Sequence, residues 1–232
     1  MPAHLNYHTL ARRQQKLMMC LAAIAGFCDS YGLLHFKTYV SFMSGNTIQT
    51  GFLLGQGNLQ AALIAFAAIL FFSSGILLSA ILGSCAWYRP RWMPFVLAAF
   101  MLAVCNILTN YGIVDKYVGV ALLSFAIGYF NNALSHVGSQ AVNPDFITGN
   151  LNNGIQHLAF ALKNKPLNNA QGPWDTHKHR AVLLIGIWAS FLAGAFICSV
   201  LAVRLGGYTL LPPVAALLLC PLYLYKHPDI LA

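Results

Sequence analysis

Two short phrases hold the side chains in this sequence that are best suited to binding chemistry. Phe42-Met43-Ser44-Gly45-Asn46 and Phe146-Ile147-Thr148-Gly149-Asn150 both read Phe, aliphatic, Ser or Thr, Gly, Asn, and a further glycine follows each, Gly51 or Gly154. Ser, Thr, Gly and Asn cap helices and permit unusual backbone angles. Each phrase therefore predicts the start of a short helix, whose unpaired N–H groups and positive dipole end suit an anion or the negative end of a polar solute. The amides of Asn46 and Asn150 can both donate and accept. The predicted binding set is Ser44, Gly45, Asn46, Thr148, Gly149 and Asn150. The alternative for the asparagines is that they only satisfy backbone groups left open where a helix is broken.

Asp29 lies about twelve residues into an otherwise apolar stretch, roughly 18 Å along a helix axis. A charge at such depth in a membrane is expensive, by about 2.5–3.5 kcal/mol on insertion scales, and it usually faces a cavity or a partner. Asp29 is thus the candidate coupling group for a proton or cation; the competing reading holds it by local hydrogen bonds without transport duty. A second rank comprises Asn131 and Asn132, which occupy the corresponding place in the second half, and Gln49 and Asn153 on the faces of the short helices. His35 and His136 also correspond, as a proton relay or as interfacial residues. Asp145, just before Phe146 and nearer the cytoplasmic mouth, reads as a loop acid, with a mouth residue as the alternative.

The elements that must position these residues follow from composition. The chain is 58% apolar and 8% charged, which is a membrane protein's balance. Uncharged stretches Ala61–Trp87, Trp92–Val114, Tyr117–Ser135, Ala181–Val203 and Leu205–Tyr225, with Leu17–Phe36 carrying Asp29, give six predicted spans of about 20 residues. The net charge of +8 is explained by orientation and calls for no nucleic acid. With a cytoplasmic N-terminus, Arg12, Arg13, Lys16, Arg89, Arg91, Lys163, Lys165, Lys178, Arg180 and Lys226 fall inside, and only Lys37, Lys116 and Arg204 fall outside. A model of eight crossings ranks second. The basic stretch 163–180, with Pro166, Gly172, Pro173, His177 and His179, reads as a cytoplasmic loop.

The repeat extends past the phrases. Gly26-Phe27-Cys28-Asp29-Ser30 matches Gly128-Tyr129-Phe130-Asn131-Asn132, Phe72 and Gly75 match Phe191 and Gly194, and Pro94 and Val96 match Pro212 and Val214. Each half is one span, one polar segment and two spans, and three crossings per half make the second half upside down. The predicted fold is all-α and polytopic: about six transmembrane helices plus two half or broken helices, Gly45 to Leu54 and Gly149 to Ala161, in an inverted internal repeat. Residues 1–16 form a cytoplasmic tail, 17–114 and 115–225 the repeats, and 226–232 a C-terminal tail. The six cysteines lack CxxC spacing and nearby histidine ligands, so no metal is expected. There is no glutamate, and GxSxG, P-loop and HExxH motifs are absent, so neither an enzyme nor a cofactor is expected.

Asp29-Ser30-Tyr31-Gly32, Val40 to Thr47, Gly51, Gly128 to Asn132 and Thr148-Gly149-Asn150 resemble the YoaK-like family of bacterial inner-membrane proteins of unknown function. The resemblance covers nearly the whole chain and implies a multi-pass protein of the bacterial plasma membrane, in contact with the lipid bilayer. The pattern of residues itself predicts a secondary transporter or permease for a small polar or anionic solute. A channel constricted at the same site and a non-transporting sensor or assembly protein are the alternatives, and oligomer formation is left open.

Overall fold

The computed structural model describes residues 7–85, 91–113 and 115–231; Trp87, Arg89 and Val114 of the sequence reading lie outside them. Eight α-helices account for most of the described chain: α1 Tyr7–Phe36, α2 Met43–Gly55, α3 Leu59–Ser84, α4 Met93–Asn110, α5 Lys116–Asn131, α6 Ile147–Leu162, α7 His177–Leu205 and α8 Leu211–Lys226. A hairpin of two-residue strands, β1 His136–Val137 and β2 Gln140–Ala141, separates α5 from α6.

Four segments are long and apolar enough to cross a membrane: α1, α3, α4 and α7 with the turn that follows it, His177–Tyr208. α8 is apolar but has 16 residues, and α5 also has 16, about 24 Å at 1.5 Å each. The span predicted to reach Ser135 ends at Asn131, because the chain leaves the helix for the hairpin. At the other end of the chain α1 is longer than expected. It begins at Tyr7, so Arg12, Arg13 and Lys16 sit on the helix and not in a separate tail.

α1 is largely buried, whereas α3 and α7 turn much of their apolar surface outward, with Phe66, Leu70, Leu77, Leu192, Phe196 and Val200 among the exposed side chains. An apolar circumference of this kind suits lipid. α1 packs chiefly on α7, α3 on α5, and α4 on α8. Glycines make the first two crossings close. A Cβ on Gly26 of α1 would strike the Phe191 carbonyl of α7, and one on Gly194 would strike the Ala23 carbonyl of α1. In the same way, a Cβ on Gly128 of α5 would strike the Phe72 carbonyl, and one on Gly75 of α3 the Phe125 carbonyl. The residues that match in sequence thus make matching contacts, each with the opposite half. Small residues let backbones meet where lipid supplies no hydrophobic drive for association.

The stretch 163–176 is ordered by polar contacts. Arg180 and Asp175 form a buried ion pair at 2.8 Å, and Ser139 of the hairpin region accepts from Arg180 at 2.7 Å. Gln14 of α1 accepts from the Gly138 N–H at 2.9 Å and donates to the Ile230 carbonyl at 3.0 Å. Arg13 pairs with Asp229 at 3.0 Å. The start of α1, the hairpin, this loop and the C-terminal turn therefore form one polar cap.

Candidate functional site

The chain after Phe36 folds back on α1, and Asp29 is the reason. Its Oδ1 accepts the N–H groups of Val40 and Ser41, both at 2.7 Å, and of Phe42 at 3.4 Å; its Oδ2 accepts the Ser41 hydroxyl at 2.7 Å. Asp29 is 4% exposed. Seven residues separate it from the helix end, so α2 begins about 10 Å below that end, beside Asp29. Lys37, with φ of 60°, makes the reversal. From there α2 runs back the way the chain came, because Gln49 of α2 donates to the Lys37 carbonyl at 2.7 Å.

The phrase shapes the entry into each short helix. Helices α2 and α6 start at Met43 and Ile147, with Phe42 and Phe146 as N-caps and no side-chain capping bond. Ser44 and Thr148 were expected to cap; instead they sit inside the first turn. Each N-cap ring folds back over that turn, where a Cβ on Gly45 or Gly149 would collide with it. Asn46 is fully buried and donates to the Tyr39 carbonyl at 2.8 Å, while its Oδ1 accepts from the Tyr39 N–H and the Thr38 hydroxyl, both at 3.1 Å. Asn150 donates to the Asn143 carbonyl at 2.7 Å. Both amides thus reach the carbonyl seven residues back and tie the incoming loop to its helix.

The second half changes the chemistry at the junction. Asn131 stands where Asp29 stands, Asp145 where Ser41 stands, and Pro144, which has no N–H to donate, where Val40 stands. The carboxylate has moved from the helix to the loop. Asn131 is 4% exposed, and among the described residues its Oδ1 and the Asp145 Oδ2 are buried without a hydrogen-bond partner.

Two cavities of about 320 Å³ each flank the meeting point of α2 and α6. The first is lined by Met43, Ser44, Phe72, Asn131, Asp145 and Phe146. The second is lined by Ile147, Thr148, Phe191, Asp29, Tyr39 and Phe42. Met43, Ser44, Phe72, Asn131 and Phe146 of the first match Ile147, Thr148, Phe191, Asp29 and Phe42 of the second. Phe42, Ile147 and Thr148 border both. Helix starts, hydroxyls and carboxylates in a largely apolar surround can hold a small polar or charged molecule.

Residues 17–223 match the family described as protein of unknown function (DUF1275). The chain belongs to the DUF1275 family. It is 27% identical over 222 residues to the UPF0700 transmembrane protein RA0705 of Rhizobium meliloti (strain 1021), covering 90% of this chain and 88% of that protein. No solved structure matches it. An uncharacterised family of multi-pass membrane proteins is what the resemblance in the sequence implied.

In this DUF1275 member the predicted site residues divide. Ser44, Thr148, Asn131 and Asp29 line the paired cavities. Gly45, Gly149, Asn46 and Asn150 shape the turns beside them. Gln49 braces the loop, and Asn153 is exposed on α6. Asn132 lines a separate cavity of about 600 Å³ with Ser79 and Arg91. The two histidines do not reach the cavities: His35 stacks on Tyr31 with centroids 4.2 Å apart, and His136 sits in the hairpin with Nδ1 2.9 Å from Ser135 Oγ. In the sequence Asp145 reads as a loop or mouth acid and stands outside the predicted binding set. The signal was present, since Phe42 and Phe146 in register put Asp145 opposite Ser41.

Proposed function

We propose that this chain is a secondary permease of the bacterial inner membrane for a small polar solute, with no enzymatic step, built as an inverted repeat of six crossings with its N-terminus inside. The observation that carries the reading is the pair of equal cavities lined by matching residues on either side of the α2–α6 meeting point. Two half-sites related by exchange of the halves suit alternating access, in which one repeat rocks against the other around a fixed solute. The reciprocal glycine crossings of α1 on α7 and α5 on α3 support the same exchange. Ser44 and Thr148 at the two helix starts are the proposed solute contacts.

The test is uptake into proteoliposomes of labelled carboxylates, amines, sugars and nucleobases. Saturable uptake reduced at least tenfold by Ser44→Leu together with Thr148→Leu, in protein that still folds, is the expected result. Flux that rises linearly with solute would turn the reading to a channel. No flux for any class would turn it to a sensor or assembly protein.

A further inference from the structure

We propose that the Asn131–Asp145 side of the central cavity is a site for a small monovalent cation, either an alkali ion or the ammonium end of a solute. The inference deepens the permease reading, whose cavity it uses, and places the cation away from Asp29.

Three observations lead there. First, the Asp29 carboxylate is filled: backbone N–H groups and the Ser41 hydroxyl occupy both of its oxygens. It staples a loop and has little left to offer. Second, at the matching place in the other half the same geometry leaves acceptors over. Pro144 supplies no N–H, so a carboxylate at position 131 would lose the donor that Val40 gives to Asp29. The chain carries an amide at 131 and the carboxylate at 145 instead, and the result is two buried oxygens, Asn131 Oδ1 and Asp145 Oδ2, without a donor among the described residues. Third, both residues line the cavity onto which α2 and α6 open, and no Lys, Arg or His is among its lining residues. The ion pairs of the described chain, Arg13 with Asp229 and Arg180 with Asp175, leave Asp145 out.

A buried acceptor without a donor leaves its desolvation uncompensated, and a buried carboxylate more so. A proton on Asp145 donated to Asn131 Oδ1 closes the pair when the carboxyl is neutral; when it is ionised, positive charge completes it, since a carbonyl and a carboxylate oxygen are hard ligands for an alkali ion and good acceptors for N⁺–H. An anion is excluded from this side by the same two oxygens. The remaining polar lining groups are Asn143, whose backbone carbonyl takes the Asn150 amide, Ser41, whose hydroxyl is given to Asp29, and Ser44 and Thr148, which can supply further oxygens.

The experiment is thermal unfolding of the purified full chain in detergent with sodium, potassium, ammonium or methylammonium chloride, ionic strength being held constant with choline chloride. Choline has no N–H and is bulky. The expected result is a saturable rise in Tm with at least one of the four cations. A response to sodium or potassium identifies an inorganic ion; a response confined to ammonium and methylammonium identifies the N–H end of a solute. Asp145→Asn puts an amide donor against Asn131 Oδ1, so this variant is expected to be at least as stable as the parent in choline and to respond at least tenfold more weakly. Asn131→Leu removes one acceptor and leaves the charge, and is expected to weaken the response several-fold; it keeps the test open should Asp145→Asn fail to fold. An unchanged response in the folded variants, or no response of the parent to any cation, overturns the proposal. Cation binding in protein that transports nothing would overturn the permease reading alone, and solute uptake without a cation response would overturn the cation site alone.

Discussion

An acid in the middle of an apolar helix invites a transport role, but the bonding around Asp29 supports a mechanical one. Three backbone N–H groups and a hydroxyl hold the loop 40–42 at its level. Hydrogen bonds to a charged group contribute about 1.5–3 kcal/mol each, against about 1 kcal/mol for neutral ones. Asp29→Asn keeps the shape, but brings an NH₂ group against a row of donors. It is expected to lower the unfolding free energy by about 2 kcal/mol in detergent-based chemical unfolding, and Ser41→Ala by about 1 kcal/mol; a neutral Asp29→Asn would remove the staple role. The glycine of each phrase makes a second residue-scale case. Gly149→Ala drives a methyl into the Phe146 ring and is expected to destabilise by about 1–3 kcal/mol, the usual penalty of overpacking. Adding Phe146→Ala should return part of that loss, a coupling that a double-mutant cycle reads directly.

At the scale of elements, much was legible in the sequence. The two short helices lie within two residues of the stretches Gly45–Leu54 and Gly149–Ala161, because the Phe and Gly that bend the chain bracket each start. The glycine matches of the repeat also became contacts. Less legible were the ends. α1 runs ten residues further toward the N-terminus, since Arg13 pairs with Asp229 while Arg12 and Lys16 are exposed, which composition cannot reveal. α5 stops early because the hairpin occupies 136–141, and nothing in its short strands exceeds ordinary turn composition. The place of Asp145 depended on aligning two loops of unequal length. The glycine crossings give a contrast to test: Gly128→Val should lower stability by at least 1–3 kcal/mol, whereas Gly83→Ala, where a Cβ meets nothing within 4 Å, should be neutral or slightly stabilising.

The cap is also where pH should act. Burial disfavours the charged form of Asp175, but hydrogen bonds from Arg180, the Gln171 N–H and Ser139 outweigh it and hold the carboxyl below its usual range. A carboxyl depressed on folding adds stability above its unfolded pKa of about 3.9, and that stability is lost as pH falls through the folded value. Hydrogen exchange should therefore show residues 167–176 losing protection below about pH 4 while α1 and α7 keep theirs. Arg180→Gln should reproduce the loss at neutral pH by leaving the buried carboxylate without its cation.

On the scale of the whole molecule, the contacts constrain how often the chain crosses. Tyr7 to Gln14, the hairpin, the loop 163–176 and the C-terminal turn share one polar cap, so the crossings between any two of them are even in number. Six crossings satisfy this, whereas with eight α6 would pass through and set the hairpin and the loop 163–176 on opposite faces; the two readings also differ in where the α2–α3 turn, Gln56 to Asn58, lies. In the six-span reading α2 is a half-helix that returns to the side it came from; in the eight-span reading it goes through. The bond from Gln49 to the Lys37 carbonyl argues for return, because it sets the second turn of α2 level with the end of α1. Charge agrees, since Lys163, Lys165, Lys178 and Arg180 gather with Arg12 and Arg13 on the cap side, away from Lys37 and Lys116. In a variant whose six native cysteines are replaced by serine or alanine, Gln56→Cys and Lys37→Cys should both react with an impermeant maleimide in intact cells, and Lys163→Cys only after permeabilisation. Should Lys37→Cys label from outside while Gln56→Cys requires permeabilised cells, α2 crosses the bilayer, and the paired cavities no longer lie between two returning half-helices.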